Sequence, residues 1–600
     1  MKNKLLIVCC LFMQFAFCQE STWTLVQAGE DIYNGQLESQ DWPNRWDLES
    51  LDMKPVVGGF LTCGHYNDEI FDSTDGNVYD LTNKNGAYLA KYNFDGELQW
   101  LVRTEKAADE ERNVIMSIAT DSQNNIYIIG HSDGTLYDTN GNSQAVSPQW
   151  PSGNSSSFLM KFDENGGFLW KTLIYSVEPK RVAIDKEDNI VVCGSFWGQN
   201  GAELFHNDQY AGEYTNITNN DVNYYIAKYA PNGMPLWDAG VYIDSVNAEF
   251  LEGITFDGDN NIYLNGIFEM NLKVYDADEQ DYIEKVWSNQ YGGSMFIAKY
   301  TPDGDGQWIV NSDQTLLSKI ITNDDGSHFV TGSNTVNYSS ESQIMTNADG
   351  TIITQSAYGP YYFAKISTEG NWEWVTGSTG TYSGGGQDMV KYNDKISIIG
   401  ALLSNAFNTP ATGALYGTTG FSPITINADD SFIATYNLDG SLVSISKSGN
   451  NVHNLVGRRT SGFIRGEDDA FYVQRNLGFL IDGGPHTFYG QTIGPISGTD
   501  ATITKFYEAD GEMVMSAKES NGIGVVTLAP NPTEKDFIIT FNNTYAHVNL
   551  IITDISGKAI LQKDYNNVSQ VPAEIIGSAG VYFVKVIADD NLQWFKIIKR

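Results

Sequence analysis

The chain has 600 residues, with 74 acidic against 36 basic side chains and a formal net charge of −38. Such a surface repels nucleic acid and anionic lipid, because holding phosphates needs clustered cations. It suits solubility outside a cell and leaves surface calcium as the one cofactor to consider. Hydrophobic content of 41% excludes a disordered chain, and the length exceeds what one ordinary core organises.

The chain opens with the basic string "MKNK" and the apolar run "LLIVCCLFMQFAF" (5–17), too short to span a bilayer comfortably. Residues 1–18 therefore read as a signal peptide cut after Cys18. Lipoprotein processing at Cys18 is the alternative, against which the bulky Phe17 stands. No later stretch is long and apolar enough for a transmembrane helix. Only Cys63 and Cys193 remain after cleavage, in "LTCGH" and "VVCGS". They occupy the same register of different repeats, too far apart for a disulfide, and read as small buried residues.

From about residue 50 the sequence repeats. "FLMKFDENGGFLW" (158–170) returns as "YLAKYNFDGELQW" (88–100), "YIAKYAPNGMPLW" (225–237), "FIAKYTPDGDGQW" (296–308) and "YFAKISTEGNWEW" (362–374). Its lysine falls at 91, 161, 228, 299 and 365. Thr435 and then Lys505 follow, at intervals of 70, 67, 71, 66, 70 and 70. A second string interleaves with the first, as in "IATDSQNNIYIIG" (118–130), "VAIDKEDNIVVCG" (182–194) and "ITFDGDNNIYLNG" (254–266). Each string is two β-rich runs joined by Asp, Asn or Gly, a hairpin signal. Two hairpins in seven periods predict a seven-bladed β-propeller over 19–517.

Several details follow from that expectation. Trp100, Trp170, Trp237, Trp308 and Trp374 should face Ala90, Met160, Ala227, Ala298 and Ala364 across the hairpin, a large–small pair between blades. The repeated lysine should lie its stem on apolar surface and meet a carboxylate. Inserts of about 21 to 29 residues, among them 132–156 and 196–223, interrupt every repeat at the same point. They predict long polar loops on one face of the ring.

The "D…gN.y..G" and "F.aK.d..G…W" pair resembles bacterial β-propeller repeats of the SBBP type, close to NHL-type propellers, over roughly residues 50–517. The resemblance implies that the "IAIDxxxN" strands line a central channel. "STWTLVQAG" (21–29) resembles a rim strand able to close the ring, though 512–518 could fill the same slot.

After a linker at 518–524, residues 525–600 show alternating apolar runs and read as a small Ig-like β-sandwich. Their markers are Pro530, Asn531 and Pro532, then Gly557 in "DISGK", Gly580, Tyr582 and Lys585 in "GVYFVKV", and Lys596 and Lys599 in "KIIKR". They resemble the type A C-terminal sorting domain of the Bacteroidota type IX secretion system. That resemblance implies a route across the outer membrane and makes the translocon and its shuttle and attachment machinery the expected partners. The product would be secreted, or held at the cell surface on lipopolysaccharide.

No metalloprotease, phosphate-loop or nucleophile-elbow motif occurs, and no catalytic residue is assigned. The Asp-rich turns lack the Gly and distal Glu of an EF-hand, so turn chemistry explains them better than calcium. His65 and His131, with Asp68 and Asp133 nearby, are thin candidates for a metal. Two functions remain: a non-catalytic binding or adhesion protein using the loop-bearing face, and a propeller-based polysaccharide lyase or glycoside hydrolase.

Overall fold

The computed structural model describes residues 23–27 and, with breaks of which the longest are 448–459 and 515–526, residues 48–600. The signal segment 1–18, the linker 518–524 and the sorting markers Pro530, Asn531, Pro532 and Gly557 lie outside the described residues. Two compact units separate, Trp23–Met513 and one containing Val514–Arg600.

Among the described residues the first unit contains, besides one two-stranded hairpin, seven larger antiparallel sheets built in chain order. Sheet 1 runs Leu48–Val56, Gly59–Asp72, Val78–Asn93 and Leu98–Ala107 from its inner edge outward. The corresponding four strands are Val114–Thr120, Ile126–Ser132, Ser156–Phe162 and Phe168–Ile174 in sheet 2, and Val177–Ile184, Ile190–Phe196, Tyr224–Tyr229 and Pro235–Ile243 in sheet 3. Sheet 4 has Leu251–Phe256, Ile262–Phe268, Ser294–Tyr300 and Gly306–Ser312, and sheet 5 has Thr315–Thr322, His328–Asn334, Tyr361–Ile366 and Trp372–Gly380. Sheet 6 has Tyr382–Tyr392, Lys395–Ser404, Asp429–Asn437 and Leu442–Lys447. Sheet 7 has Thr460–Arg465, Phe471–Asn476 and Ala501–Ala509, and its fourth strand is Trp23–Gln27 from the other end of the chain.

The first strands touch in cyclic order, and that of sheet 7 packs on that of sheet 1. The seams from sheet 1 through to sheet 6, and that between sheets 7 and 1, each hold an apolar cluster; Leu61, Cys63, Ile118 and Phe158 fill the one between sheets 1 and 2, and Phe60, Tyr472 and Ile503 the one between sheets 7 and 1. A sheet apolar on both faces buries both only between neighbours, which is the β-propeller arrangement. Trp23 pairs with Lys505 in the register that sets Trp170 against Lys161. The amino-terminal strand thus supplies the outer strand of the last repeat, and Glu512–Val514 pairs elsewhere on Ala501–Ala509.

The turns explain the recurring letters. In the inner hairpins Asn124, Asp188 and Asn260 sit at φ of 62°, 62° and 61°, a conformation these side chains tolerate. The aspartate opening each turn caps it: Asp121 Oδ1 accepts from the amides of Gln123 and Asn125 at 3.0 and 2.8 Å, and Asp185 and Asp257 repeat the pattern. In the outer hairpins Gly166, Gly233, Gly304 and Gly370 take φ between 76° and 96°.

The tryptophan expectation is corrected. Trp170 stands opposite Lys161, not Met160, and Trp100, Trp237, Trp308 and Trp374 likewise oppose Lys91, Lys228, Lys299 and Lys365. The cause is a bulge: the outer strand carries one extra residue beside the turn, such as Leu169 or Leu236, which shifts the register by one. The inter-blade role survives in another form. Each tryptophan packs on the turn glycine of the next sheet; a Cβ on Gly233 would lie 2.8 Å from the Trp170 ring, and Gly304 and Gly370 meet Trp237 and Trp308 in the same way.

The long-loop expectation is corrected as well. Within five inserts lie hairpins that extend the outer edge of the preceding sheet: Thr135–Tyr137 with Ser143–Ala145 on sheet 1, Ala202–His206 with Gln209–Tyr214 on sheet 2, Asn271–Tyr275 with Tyr282–Val286 on sheet 3, Gln343–Thr346 with Ile352–Gln355 on sheet 4, and Ala411–Tyr416 with Phe421–Ile426 on sheet 5. Three of them are fastened to their own repeat by an Asp or Asn at the tip, which accepts a backbone amide beside the turn glycine: Phe168 N to Asp138 Oδ2 (3.1 Å), Gly306 N to Asp276 Oδ1 (2.7 Å) and Trp372 N to Asn347 Oδ1 (3.0 Å). The inserts are therefore straps between neighbouring sheets.

The second unit is a five-stranded sheet in which Asp536–Asp554 pairs with Ala559–Glu574 along both of its halves. The register breaks between Thr540 and Tyr545; Thr527–Ala529 pairs with the first half and Gly580–Ala588 with the second. Phe537 and Ile539 of one half share a single apolar cluster with Val548, Leu550 and Ile552 of the other.

Candidate functional site

The inner strands place one charged layer at the ring axis. All seven first strands skip a residue in their pairing, at Leu51, Met116, Lys180, Glu252, Ser318, Gln387 and Ser461. The residue after each bulge is Asp52, Ser117, Arg181, Gly253, Lys319, Asp388 or Gly462, and most of these reach the next sheet. Asp52 Oδ2 accepts from Ser117 Oγ (3.0 Å) and Ile118 N (2.9 Å). Arg181 Nε donates to Glu252 O at 2.9 Å, Lys319 Nζ lies 2.9 Å from Asp388 Oδ1, and Phe463 N donates to Asp388 Oδ2 at 2.9 Å.

The electrostatics follow from this pairing. Burial alone would raise the Asp52 carboxyl, but Lys54, the Ile118 amide, Arg181 and Lys319 together hold it below its ordinary value. Burial alone would lower Lys319, and Asp388 and then Asp52 hold it above. The Lys319 side chain keeps 38% exposure. Repeat reading missed this layer, because no single letter recurs at the post-bulge position; the bulge itself is the constant feature.

The repeated lysine has a structural partner in its own sheet. Lys161 lies 3.1 Å from Asp121 and Lys228 3.1 Å from Asp185, the aspartates that open the inner turns, with Lys299 4.0 Å from Asp257. Tyr127 and Tyr263 hydroxyls donate to the same carboxylates at 3.0 and 2.8 Å. Burial would raise Asp121, and Asn125, Lys161 and Tyr127 hold it down. Where Asn323 replaces the turn aspartate in sheet 5, Lys365 pairs with Glu373 instead (2.9 Å), and in sheet 6 Thr435 replaces the lysine and bonds Ser397. Those turn oxygens are occupied by protein donors.

His65 is 9% exposed, and its Nδ1 lies 2.7 Å from Asn113 O across the seam to sheet 2. His131 occupies the equivalent strand position in sheet 2, opposite Val114 and Ser157. The Asp68 side chain and Asp133 lie outside the described residues. Among the described residues no group of three or more His, Cys, Asp or Glu is placed to hold a metal. Cys63 and Cys193 are buried and free, burial pushing the Cys193 thiol up to about 12.

In the second unit two sorting markers do structural work. Lys599 Nζ donates to Ile575 O (3.0 Å) and Gly577 O (2.6 Å), and Tyr582 Oη to Ser578 O (2.6 Å), so both fasten the turn before the strand Gly580–Ala588. Lys585 pairs in register with Trp594, and Lys596 with Phe583. Gly580 opens its strand opposite Lys599.

Residues 527–600 match the family described as a secretion system C-terminal sorting domain. Over 240 residues the chain is 26% identical to an uncharacterized WD repeat-containing protein, L264, of Acanthamoeba polyphaga mimivirus; the match covers 36% of the chain and about a sixth (16%) of that relative. Two solved structures align at 11% identity. One is a protein of Lactobacillus plantarum (TM-score 0.22, covering 64% of this chain and 98% of that one), the other the exotype rhamnogalacturonan lyase YesX (TM-score 0.24, 93% and 91%). At such scores neither carries an argument about this chain, whose propeller assignment rests on its own sheet order. The carboxy-terminal unit, residues 527–600, is a sorting domain of the type IX secretion route, and it exports an all-β, propeller-like repeat unit to the cell surface or the medium.

Proposed function

We propose that the exported unit is a non-catalytic binding or adhesion protein. The observation that carries this reading is the state of the axial layer. A lyase or glycosidase needs a carboxyl tuned to give up or take a proton near neutral pH. Here Asp52 and Asp388 accept bonds from the next sheet, and Asp52 is held ionised by neighbouring cations. The axial charges join sheets.

Binding then falls to the rim. Tyr210, Tyr282 and Ile352 occupy equivalent places in the outer hairpins of sheets 2, 3 and 4, opposite Phe205, Tyr275 and Thr346, and are 59%, 48% and 64% exposed. Phe205 and Tyr275 meet their tyrosines at 5.7 and 5.2 Å between ring centroids. A ledge of aromatic and aliphatic groups on successive sheets favours a neutral glycan or a protein surface; a net charge of −38 disfavours polyanions. The signal peptide, a Bacteroidota source and lipopolysaccharide attachment belong to the same proposal.

The test is a panel of polysaccharides offered to the secreted protein, read both for binding and for new chain ends. Saturable binding without cleavage, weakened at least tenfold by Tyr210→Ala with Tyr282→Ala, is expected. Release of reducing or unsaturated ends would favour the lyase or hydrolase reading and overturn this one.

A further inference from the structure

Among the described residues sheet 6 ends at Leu442–Lys447, whereas each of sheets 1 to 5 continues outward into the insert hairpin of the next repeat. The register of that continuation is constant. The residue three places beyond the tryptophan position opposes the second residue of a short motif: Arg103 faces Tyr137 in "LYD", Leu173 faces Phe205 in "LFH" and Asn311 faces Thr346 in "MTN". In sheets 3 and 5 the pairs Val241–Val274 and Ser378–Leu415 fix the same register one place further along.

The seventh insert carries the same device. Its string "FYGQTIGP" (488–495) parallels "LYGTTGFSP" (415–423) of the hairpin on sheet 5, with one residue fewer in the turn. Pro485–Phe488 and Gln491–Pro495 pair with each other as a two-stranded hairpin. The outer strand Leu442–Lys447 has the bulge of its counterparts, with Val443 as the extra residue and Ser444 in the tryptophan position opposite Thr435. Gly440, in the turn before it, carries the Trp374 ring of sheet 5 as the other turn glycines carry theirs.

We infer that the outer edge of sheet 6 is a strand-docking surface whose occupant is this chain's own hairpin Pro485–Pro495. The hairpin adds as fifth and sixth strands, with Pro485–Phe488 along Leu442–Lys447. Its role is protective as well as structural. A bare sheet edge offers a row of amides and carbonyls that another chain can pair with, and a protein released outside the cell has every opportunity to meet a second copy. Sheet 7 receives no such hairpin from the first insert, which instead prolongs the hairpin Gly59–Asp72 with Val78–Asn93, whose pairing runs on to Asp72 and Val78.

The test places the photo-crosslinking residue p-benzoylphenylalanine at position 447 of the full chain, followed by peptide mapping. The expected product is an intrachain link to a peptide containing 485–495. A link to that peptide of a second copy, or to any other segment, would overturn the assignment. A second measurement follows hydrogen exchange across Leu442–Lys447 with Thr487→Pro, which disrupts the hairpin without touching sheet 6. Exchange should speed at least tenfold at the outward-facing amides, and dimer should appear on size-exclusion chromatography with light scattering. Unchanged exchange in the variant would sink the proposal.

Discussion

His328 opens the second strand of sheet 5, where the other sheets have Phe60, Ile126, Ile190, Ile262, Ile396 and Phe471. The imidazole is fully buried, 3.0 Å from Thr322 Oγ1 through Nδ1 and 4.3 Å from the Tyr263 ring centroid. Burial first, and the Lys299 ammonium second, depress its pKa from 6.5 to about 3. Between those values the unfolded chain binds a proton that the folded chain refuses, so stability is intact above about pH 7 and falls as pH drops. The loss runs at about 1.4 kcal/mol per pH unit below the unfolded pKa, hence about 2 kcal/mol at pH 5. His328→Ile restores the residue common at this position and removes that term, at the cost of the Thr322 bond, about 1 kcal/mol. Urea unfolding at pH 7.5 and pH 5.0 measures both. The native chain should lose about 2 kcal/mol more than the variant between the two pH values. Equal losses would show that His328 titrates freely and that the seam between sheets 4 and 5 is wet.

Three other outcomes are expected. Lys228→Met strands the buried Asp185 carboxylate and should cost about 3 kcal/mol, whereas Lys299→Met, whose ion pair is longer and more exposed, should cost about 1 kcal/mol or less; denaturation midpoints decide. Gly233→Ala combines a left-handed φ of 82° with a Cβ 2.8 Å from Trp170, and should destabilise more than Gly350→Ala, which has a similar φ but open space around it. Removing 525–600 should leave a folded repeat unit retained in the periplasm, read by fractionation; its appearance in the medium would contradict the sorting assignment.

The repeat was legible because its turns demand particular residues. Asp121 and its equivalents cap the inner hairpin, and Gly233 and its equivalents supply positive φ in the outer one, so the same letters recur wherever the same geometry does. Register was less legible. The one-residue bulge at Leu169 or Leu236 leaves no fixed residue type, and it moved each tryptophan from the small residue to the lysine. The outer hairpins escaped notice because strands such as Thr135–Tyr137 and Ser143–Ala145 are only three residues long and pair with a sheet belonging to the previous repeat. Only the faint "LYD", "LFH" and "LYG" strings marked them. The axial layer was invisible for the opposite reason: Asp52, Arg181, Gly253 and Lys319 share a position and no chemistry.

Closure of the ring by the amino-terminal strand is what the account depends on most. Thr24 and Thr504 are cross-strand neighbours in sheet 7. Thr24→Cys with Thr504→Cys, oxidised and analysed by non-reducing electrophoresis and peptide mapping, should give an intrachain disulfide that raises the unfolding temperature of the exported unit. Failure to form that bond in the folded protein, or formation between chains only, would contradict a closed ring.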